Sequence, residues 1–325
     1  MCIRDRDQTG PILWNVAKRE KNINIFCPAK VESVESTTDA CIVEVKYLSE
    51  NKNKRSTQLQ AQLLLAADGT YSHIAKQLEI PVSRESYGQH AVIANIVTEL
   101  PHQNKAFERF TKSGPLALLP LTELAQETNR MSLVWCQSPD HIEQIMANDD
   151  ELFIEQLQQA FGFRLGRITK VGKRSEYPLS LHIAQQSFNQ RVLLLGNSAH
   201  TLHPIAGQGF NLGLRDIAML VEQVEQATQP GNDFGDESFL TQYNESRQAD
   251  WQQTIFATDA LARLFSNQFL PLVFARNKAM NAVNNLPLLK KHLARSAMGY
   301  IGRSSRLARG IMPVKKQHQD KCEPS

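Results

Sequence analysis

Between Arg191 and Asp216 the chain reads RVLLLGNSAHTLHPIAGQGFNLGLRD, residue types suited to holding a charged or polarised ligand. The apolar run Val192–Leu195 breaks at Gly196 and Asn197. A loop carrying Pro204, Gly207 and Gly209 follows, and helical periodicity begins near Phe210. Strand, glycine turn and helix start, in that order, set backbone N–H groups and a helix dipole against a ligand. Gly207, Gln208, Gly209, Phe210 and Asn211 are then the cradle, and Pro204 stiffens the loop beside it. Phe210 has a second reading, as a core anchor of the helix together with Leu214 and Ile217. Asp216 is expected in the second turn of that helix, where a carboxylate favours the dipole.

A second junction, A-A-D-G-T-Y-S-H-I-A-K, ends the apolar run Ala61–Ala67 at Asp68 and Gly69, with Ser72 placed to cap a following helix. Taken alone it also reads as an ordinary strand–turn–helix corner. His200 and His203 have the right type for proton transfer, yet such loop histidines more often serve packing. Their H-x-x-H spacing has no cysteine or carboxylate partner nearby, so no metal site is expected. The five cysteines show no CxxC spacing, which fits reduced thiols.

The two junctions together resemble the flavoprotein aromatic hydroxylases, the group-A monooxygenases. G-N-S-A-H-x-x-x-P-x-x-G-Q-G-x-N-x-G-x-x-D resembles the family's ribityl-binding motif. Asn197 stands where most members carry an aspartate, as in the ubiquinone-biosynthesis branch. A-D-G-x-x-S-x-x-x-K resembles the family's ADGxxSxxR fingerprint, with Lys76 one position beyond the usual arginine. AVIANIVTELPHQNKAFERF and FGFRLGRITKVGKRSEYPL are similar to the same branch. The resemblance implies FAD bound through Asp68, Gly69, Ser72, Gly196, Asn197, Pro204 and Gly207–Asn211. It also implies NAD(P)H as co-substrate and a polyprenyl phenol hydroxylated by O2 through a flavin C4a-hydroperoxide. The family's G-x-G-x-x-G turn, which cradles the ADP half of FAD, is not found before Asp68, so the chain is expected to be an N-terminally truncated, inactive piece of such an enzyme. A non-catalytic relative or fragment, acting as a binding partner in a quinone-synthesis assembly, is the alternative.

The elements around these motifs give an α/β fold. A partial Rossmann-like FAD-binding domain, its first βαβ unit missing, is expected over 7–82 and 176–230. Short β-like runs at Gln89–Thr98, Ala106–Thr111, Leu116–Leu119 and Met131–Cys136, then helices at Ile142–Met146 and Glu151–Phe161, read as an inserted α+β layer over 83–175, which the resemblance implies is the substrate domain. A helical region over 231–312, broken at Pro271 and Pro287, precedes a tail at 313–325. Further expectations are a helix at Pro11–Arg19, a strand near Asn22–Phe26, a hairpin over Lys30–Tyr47 and a loop over Ser49–Gln60. MCIRDRDQTG lacks helical periodicity and is read as foreign to the fold, which should begin near Asp7.

At 325 residues and 42% hydrophobic, the chain can bury one or two cores. No apolar run reaches the roughly 18–20 residues that span a bilayer. Ala260–Gln319 holds eleven Lys or Arg and no Asp or Glu, on a chain of net charge +3. A basic, partly apolar end on an acidic body points to peripheral contact with an anionic membrane, or to a solvated helical surface. A cytoplasmic protein at the bacterial inner membrane is expected. Few aromatics accompany these charges, which argues against nucleic acid.

Overall fold

Alternation of apolar and polar residues builds the first sheet. Helix α1 (Arg6–Arg19) leads to the antiparallel strands β1 (Ala29–Ser36), β2 (Cys41–Tyr47) and β3 (Ser56–Ala61). Val34, Cys41, Val43 and Val45 turn inward from them. The computed structural model describes residues 6–48, 56–111, 113–122, 128–227, 231–267, 269–297 and 305–312. The expected tail 313–325 lies outside the described residues.

Two apolar runs then pair. β4 (Leu64–Ala66) lies parallel to a later strand, Val192–Leu194, in the register Leu64↔Val192 to Ala66↔Leu194. After β4 the chain turns at Asp68 and Gly69 into the short helix α2 (His73–Gln77). A long antiparallel layer follows: β5 (Val82–Thr98), β6 (Phe107–Phe110), β7 (Pro115–Pro120) and β8 (Arg130–Gln137). Helices α3 (Pro139–Ala147) and α4 (Asp150–Phe161) come next, then β9 (Ile168–Val171) and β10 (Ser175–Ala184). The chain returns through β11 (Phe188–Asn189) to β12 (Val192–Leu194) and β13 (His200–Thr201). Helices α5 (Gln208–Gln226), α6 (Glu237–Ser266), α7 (Leu270–Asn285) and α8 (Pro287–Ala297) complete it.

The large sheet runs β13-β10-β5-β8-β7-β6, with β9 also on β5. The period of two divides its faces. Val92, Ala94, Ile96, Leu133 and Trp135 pack with Phe153, Leu157 and Phe161 of α4. Each such fully buried large side chain contributes roughly 1.5–3 kcal/mol. Ala91, Val134 and Leu179 form a smaller cluster on the opposite face. β12 is covered on both sides: Val192 and Leu194 pack with β2 and α2, and Leu193 packs with α5 and α6. That explains its unbroken apolar run.

Four expectations are corrected here. Asn22–Phe26 forms no strand; Ile23, Ile25 and Phe26 are exposed, and the Phe26 ring lies 6.2 Å from that of Tyr47 in β2. Ser56–Gln60 is not loop but belongs to β3, an edge strand with polar residues on its outer face. The helix expected at Pro11–Arg19 starts earlier, because α1 begins at Arg6 and runs through Gly10 and Pro11. The boundaries expected at 82/83 and 175/176 both fall inside strands of one continuous sheet, β5 and β10.

Candidate functional site

The parallel pairing of β4 and β12 brings the ends of both strands, and so both sequence motifs, side by side. Leu195 N–H donates to the Ala66 carbonyl at 2.9 Å, and the chains then diverge. The Ser198 hydroxyl donates to Asp68 Oδ1 at 3.1 Å and accepts the Gly69 N–H at 3.1 Å. One hydroxyl thus stitches A-D-G to G-N-S. Asp68 Oδ2 accepts the Ile74 N–H at 3.2 Å, and Ser72 Oγ accepts the Ala75 N–H at 2.9 Å, capping α2 as expected. Burial raises the pKa of the Asp68 carboxyl, but hydrogen bonds from Ser72, Ile74 and Ser198 outweigh it and hold the group below its ordinary value. Thr201 Oγ1 donates to Thr70 Oγ1 at 3.1 Å, adding a second stitch.

Past the junction the loop turns tightly. Gly196 has φ +58° and Gly207 has φ +61°, left-handed values that side chains resist. Gly207 is the N-cap of α5 and no side chain caps that end. The helix start therefore presents its backbone donors to whatever lies in front. Gly209, the other glycine of the motif, has ordinary helical backbone with open space around it. A Cβ on Gly213 would lie 3.3 Å from Gly196 Cα, so α5 runs close beneath the β12 turn.

In front of this helix start is a cavity of about 500 Å³. Asn197, Pro204, Gly209 and Phe210 line it from the loop side, with Thr201, Leu202 and His203. Ala91 and Ile93 of β5, Val134 of β8, and Tyr177 and Leu179 of β10 form its ceiling. Thr9 and Gly10 of α1 close one flank. Of the other expected residues, Asp68, Gly69, Ser72, Gly196, Gly207, Gln208 and Asn211 are not part of its wall. Sequence reasoning missed Ser198 and Thr201, whose partners lie across the parallel pair. It also missed the ceiling residues, whose signal was their alternate positions along strands already recognised.

Three side chains play parts other than those expected. Phe210, Leu214 and Ile217 are 40%, 39% and 49% exposed, so they anchor no core within the described residues. Asp216 lies in the third turn of α5 and is 1% exposed. It accepts from Trp251 Nε1 at 2.7 Å and pairs with Arg247 at 2.8 Å, locking α5 to α6 instead of serving the dipole. Burial opposes the Arg247 charge, but the Asp216 and Asp250 carboxylates outweigh it and keep the guanidinium protonated. His200 packs its ring 4.7 Å from that of Trp251, outside the cavity wall. No group of metal-ligating side chains occurs among the described residues.

α6 ties the loop to the ceiling as well. Near its middle Arg247 and Trp251 hold Asp216. Further along, Asp259 accepts from the Tyr87 hydroxyl at 3.1 Å, and Arg263 pairs with Glu85 of β5. One continuous helix therefore contacts both α5 and the strand that carries part of the ceiling.

Two glycine turns side by side, an uncapped helix start and an apolar ceiling make a site that could hold a polarised ligand such as a nucleotide. Residues 1–258 match the model of the FAD binding domain family, and the chain belongs to that family. It is 37% identical over 256 residues to the ubiquinone hydroxylase UbiL of Rhodospirillum rubrum, an alignment covering 78% of this chain and 58% of that protein. It is 34% identical to the mitochondrial ubiquinone biosynthesis monooxygenase COQ6 of Mus musculus, over 72% of this chain and 56% of that protein. The chain thus spans somewhat more than half the length of these curated relatives. Among solved structures, p-nitrophenol 4-monooxygenase PnpA from Pseudomonas putida aligns with TM-score 0.69 at 17% identity, covering 89% of this chain and 70% of that one. The anhydrotetracycline hydroxylase OxyS from Streptomyces rimosus aligns with TM-score 0.61 at 21% identity, over 92% and 55%. At such identities the likeness shows a shared mixed α/β fold.

Proposed function

We propose that this chain supplies the flavin-ring and substrate half of an FAD-dependent monooxygenase that hydroxylates a polyprenylated phenol in ubiquinone synthesis. The observation that carries this reading is the pair of motif turns stitched by Ser198 beneath a cavity with an apolar ceiling. The residues fit the cofactor. The exposed Asn197 would meet the ribityl chain, Asp68 would lie beside the pyrophosphate, and the start of α5 would meet the ring's pyrimidine edge, where donors favour negative charge. When bound, FAD would take electrons from NAD(P)H and activate O2. The chain's own residues orient the ring, admit the phenol and exclude water. No G-x-G-x-x-G turn precedes Asp68, where Gly10 and no other glycine occurs. This chain alone should therefore hold the adenosine half of FAD weakly.

Fluorescence titration tests the reading. Riboflavin, which has no adenosine part, should bind the purified chain about as well as FAD does. Absence of riboflavin quenching overturns the flavin-ring assignment. Stoichiometric FAD surviving gel filtration would show that the adenosine half is held after all.

A polyprenyl phenol is a lipid, and α7 and α8 offer a means of reaching it. Leu270, Phe274 and Leu288 are 80%, 66% and 84% exposed beside Arg276, Lys278, Lys290, Lys291 and Arg295. No helix among the described residues is long and apolar enough to cross a membrane. Peripheral docking on anionic lipid at the bacterial inner membrane follows, with each basic residue contributing on the order of 1 kcal/mol. Co-sedimentation with phosphatidylserine vesicles should occur at low salt and be lost when Lys290, Lys291 and Arg295 become Glu. Vesicles ignored at low salt would assign these helices to a protein neighbour in a quinone-synthesis complex.

A further inference from the structure

One residue of the cavity wall carries a buried polar atom that the fold does not use. His203 is 1% exposed and sits in that wall. Its Nδ1 accepts the Ile205 N–H at 3.2 Å, so the neutral ring carries its proton on Nε2. Nε2 is buried and has no hydrogen-bond partner among the described residues. The other buried ring nitrogens in that condition, on His90, Trp135, His182 and His200, belong to residues outside the cavity wall.

Its surroundings decide what such a donor suits. Ala91, Ile93, Val134, Leu179, Leu202 and Pro204 make most of the wall apolar. Tyr87 stands edge-on to the imidazole at 4.9 Å, with its hydroxyl committed to Asp259. Asp259 is paired in turn with Arg263, which also meets Glu85. Burial pushes the His203 pKa down to about 4, against the opposing pull of Asp259. At neutral pH the ring is therefore an uncharged donor. The nearby carboxylate makes a second anion unwelcome, so the matching acceptor is a neutral oxygen on an aromatic body. A buried donor left unmet costs about 1–3 kcal/mol, a cost removed when a ligand oxygen arrives.

We propose that the Nε2–H of His203 is the specificity-determining donor that receives the ring hydroxyl of a phenol, so that the cavity distinguishes a phenol from a bare arene of the same shape. The assignment rests on the phenol-site reading above and adds the residue that enforces it. Hydroxyl recognition of this kind discriminates more strongly than apolar fit, because the wrong ligand leaves the donor unpaired.

Calorimetric titration of the full chain with 4-methylphenol, neutral at pH 7, and with toluene, which lacks only the hydroxyl, tests it. Toluene affinity reports in each variant that the cavity is intact. Wild type should favour 4-methylphenol about tenfold, the worth of one such bond. His203→Gln, whose amide N–H reaches towards the Nε2 position, should keep most of that preference. His203→Phe and His203→Asn should lose it. A purely structural histidine gives the reverse pattern, because Asn restores an acceptor for the Ile205 N–H and Gln does not. That reversal, or one ratio shared by all four proteins, overturns the assignment while leaving the phenol site standing. Loss of riboflavin binding at an unchanged ratio overturns it in favour of a flavin contact. Wild type that takes up neither ligand overturns the phenol-site reading and the assignment together.

Discussion

The junction of the two motif turns and the helices α7 and α8 are built on opposite terms. At the junction nearly every polar group is answered from within the chain. Ser198 serves Asp68 and Gly69, Thr201 serves Thr70, and Asp216 beneath them is held by Arg247 and Trp251. α7 buries none of its residues and carries Leu270, Phe274 and Met280 into solvent. The junction spends its side chains on itself, whereas α7 keeps its apolar side chains outward.

That contrast can be broken by substitution, with unfolding in urea as the common measurement. Asp216→Ala should cost most, about 3–5 kcal/mol, since it leaves the 2%-exposed Arg247 deprived of its most buried carboxylate partner. Loss of less than 1 kcal/mol would mean that Asp250 alone satisfies the guanidinium.

Acid should come next. His200 and His203 are both pushed down to about 4 from 6.5 by burial, His200 with help from Arg247. Between those values the unfolded chain binds more protons than the folded one. Stability should thus be complete above about pH 6.5 and fall by a few kcal/mol on the way to pH 4. A flat profile in the double variant His200→Phe, His203→Phe and a sloping one in wild type would confirm the source; equal slopes would place it elsewhere.

Ser198→Ala should cost about 1–3 kcal/mol, because Asp68 loses a donor and the Gly69 N–H loses its acceptor. The smallest effect belongs to the other region. Replacing Lys290, Lys291 and Arg295 together with Glu should move stability by no more than about 0.5 kcal/mol per site. A large loss there would show that α8 is anchored and would erase the contrast.

Much of the site was legible because glycine, proline and capping residues report local geometry. Asp68, Gly69 and Ser72 turn where their types require, and Gly196 and Gly207 take the backbone that only glycine adopts freely. What was illegible depends on partners distant in the chain. Nothing near Ser198 announces Asp68, and nothing near Asp216 announces an arginine on the next helix, so a buried ion pair was read as a dipole effect. Ser56–Gln60 looked like loop because an edge strand needs apolar residues on one face only. Asn22–Phe26 looked like strand because its apolar residues imply a pairing that the described structure does not provide.

The route by which β4 meets β12 bears on how the molecule assembles. The Ser198–Asp68 bond spans 130 residues, and closing so long a loop in an unfolded chain is slow. The antiparallel pairing of β5 with β10 removes most of that search, because its last rung joins Val82 to Ala184. Once that ladder has zipped, the ends of the intervening segment are already neighbours. Only the short stretches from Ala66 to Val82 and from Ala184 to Val192 then separate the parallel strands. The β5–β10 ladder is thus expected to form before the two turns come into register, and variants that weaken that pairing should slow folding of the turns they never touch.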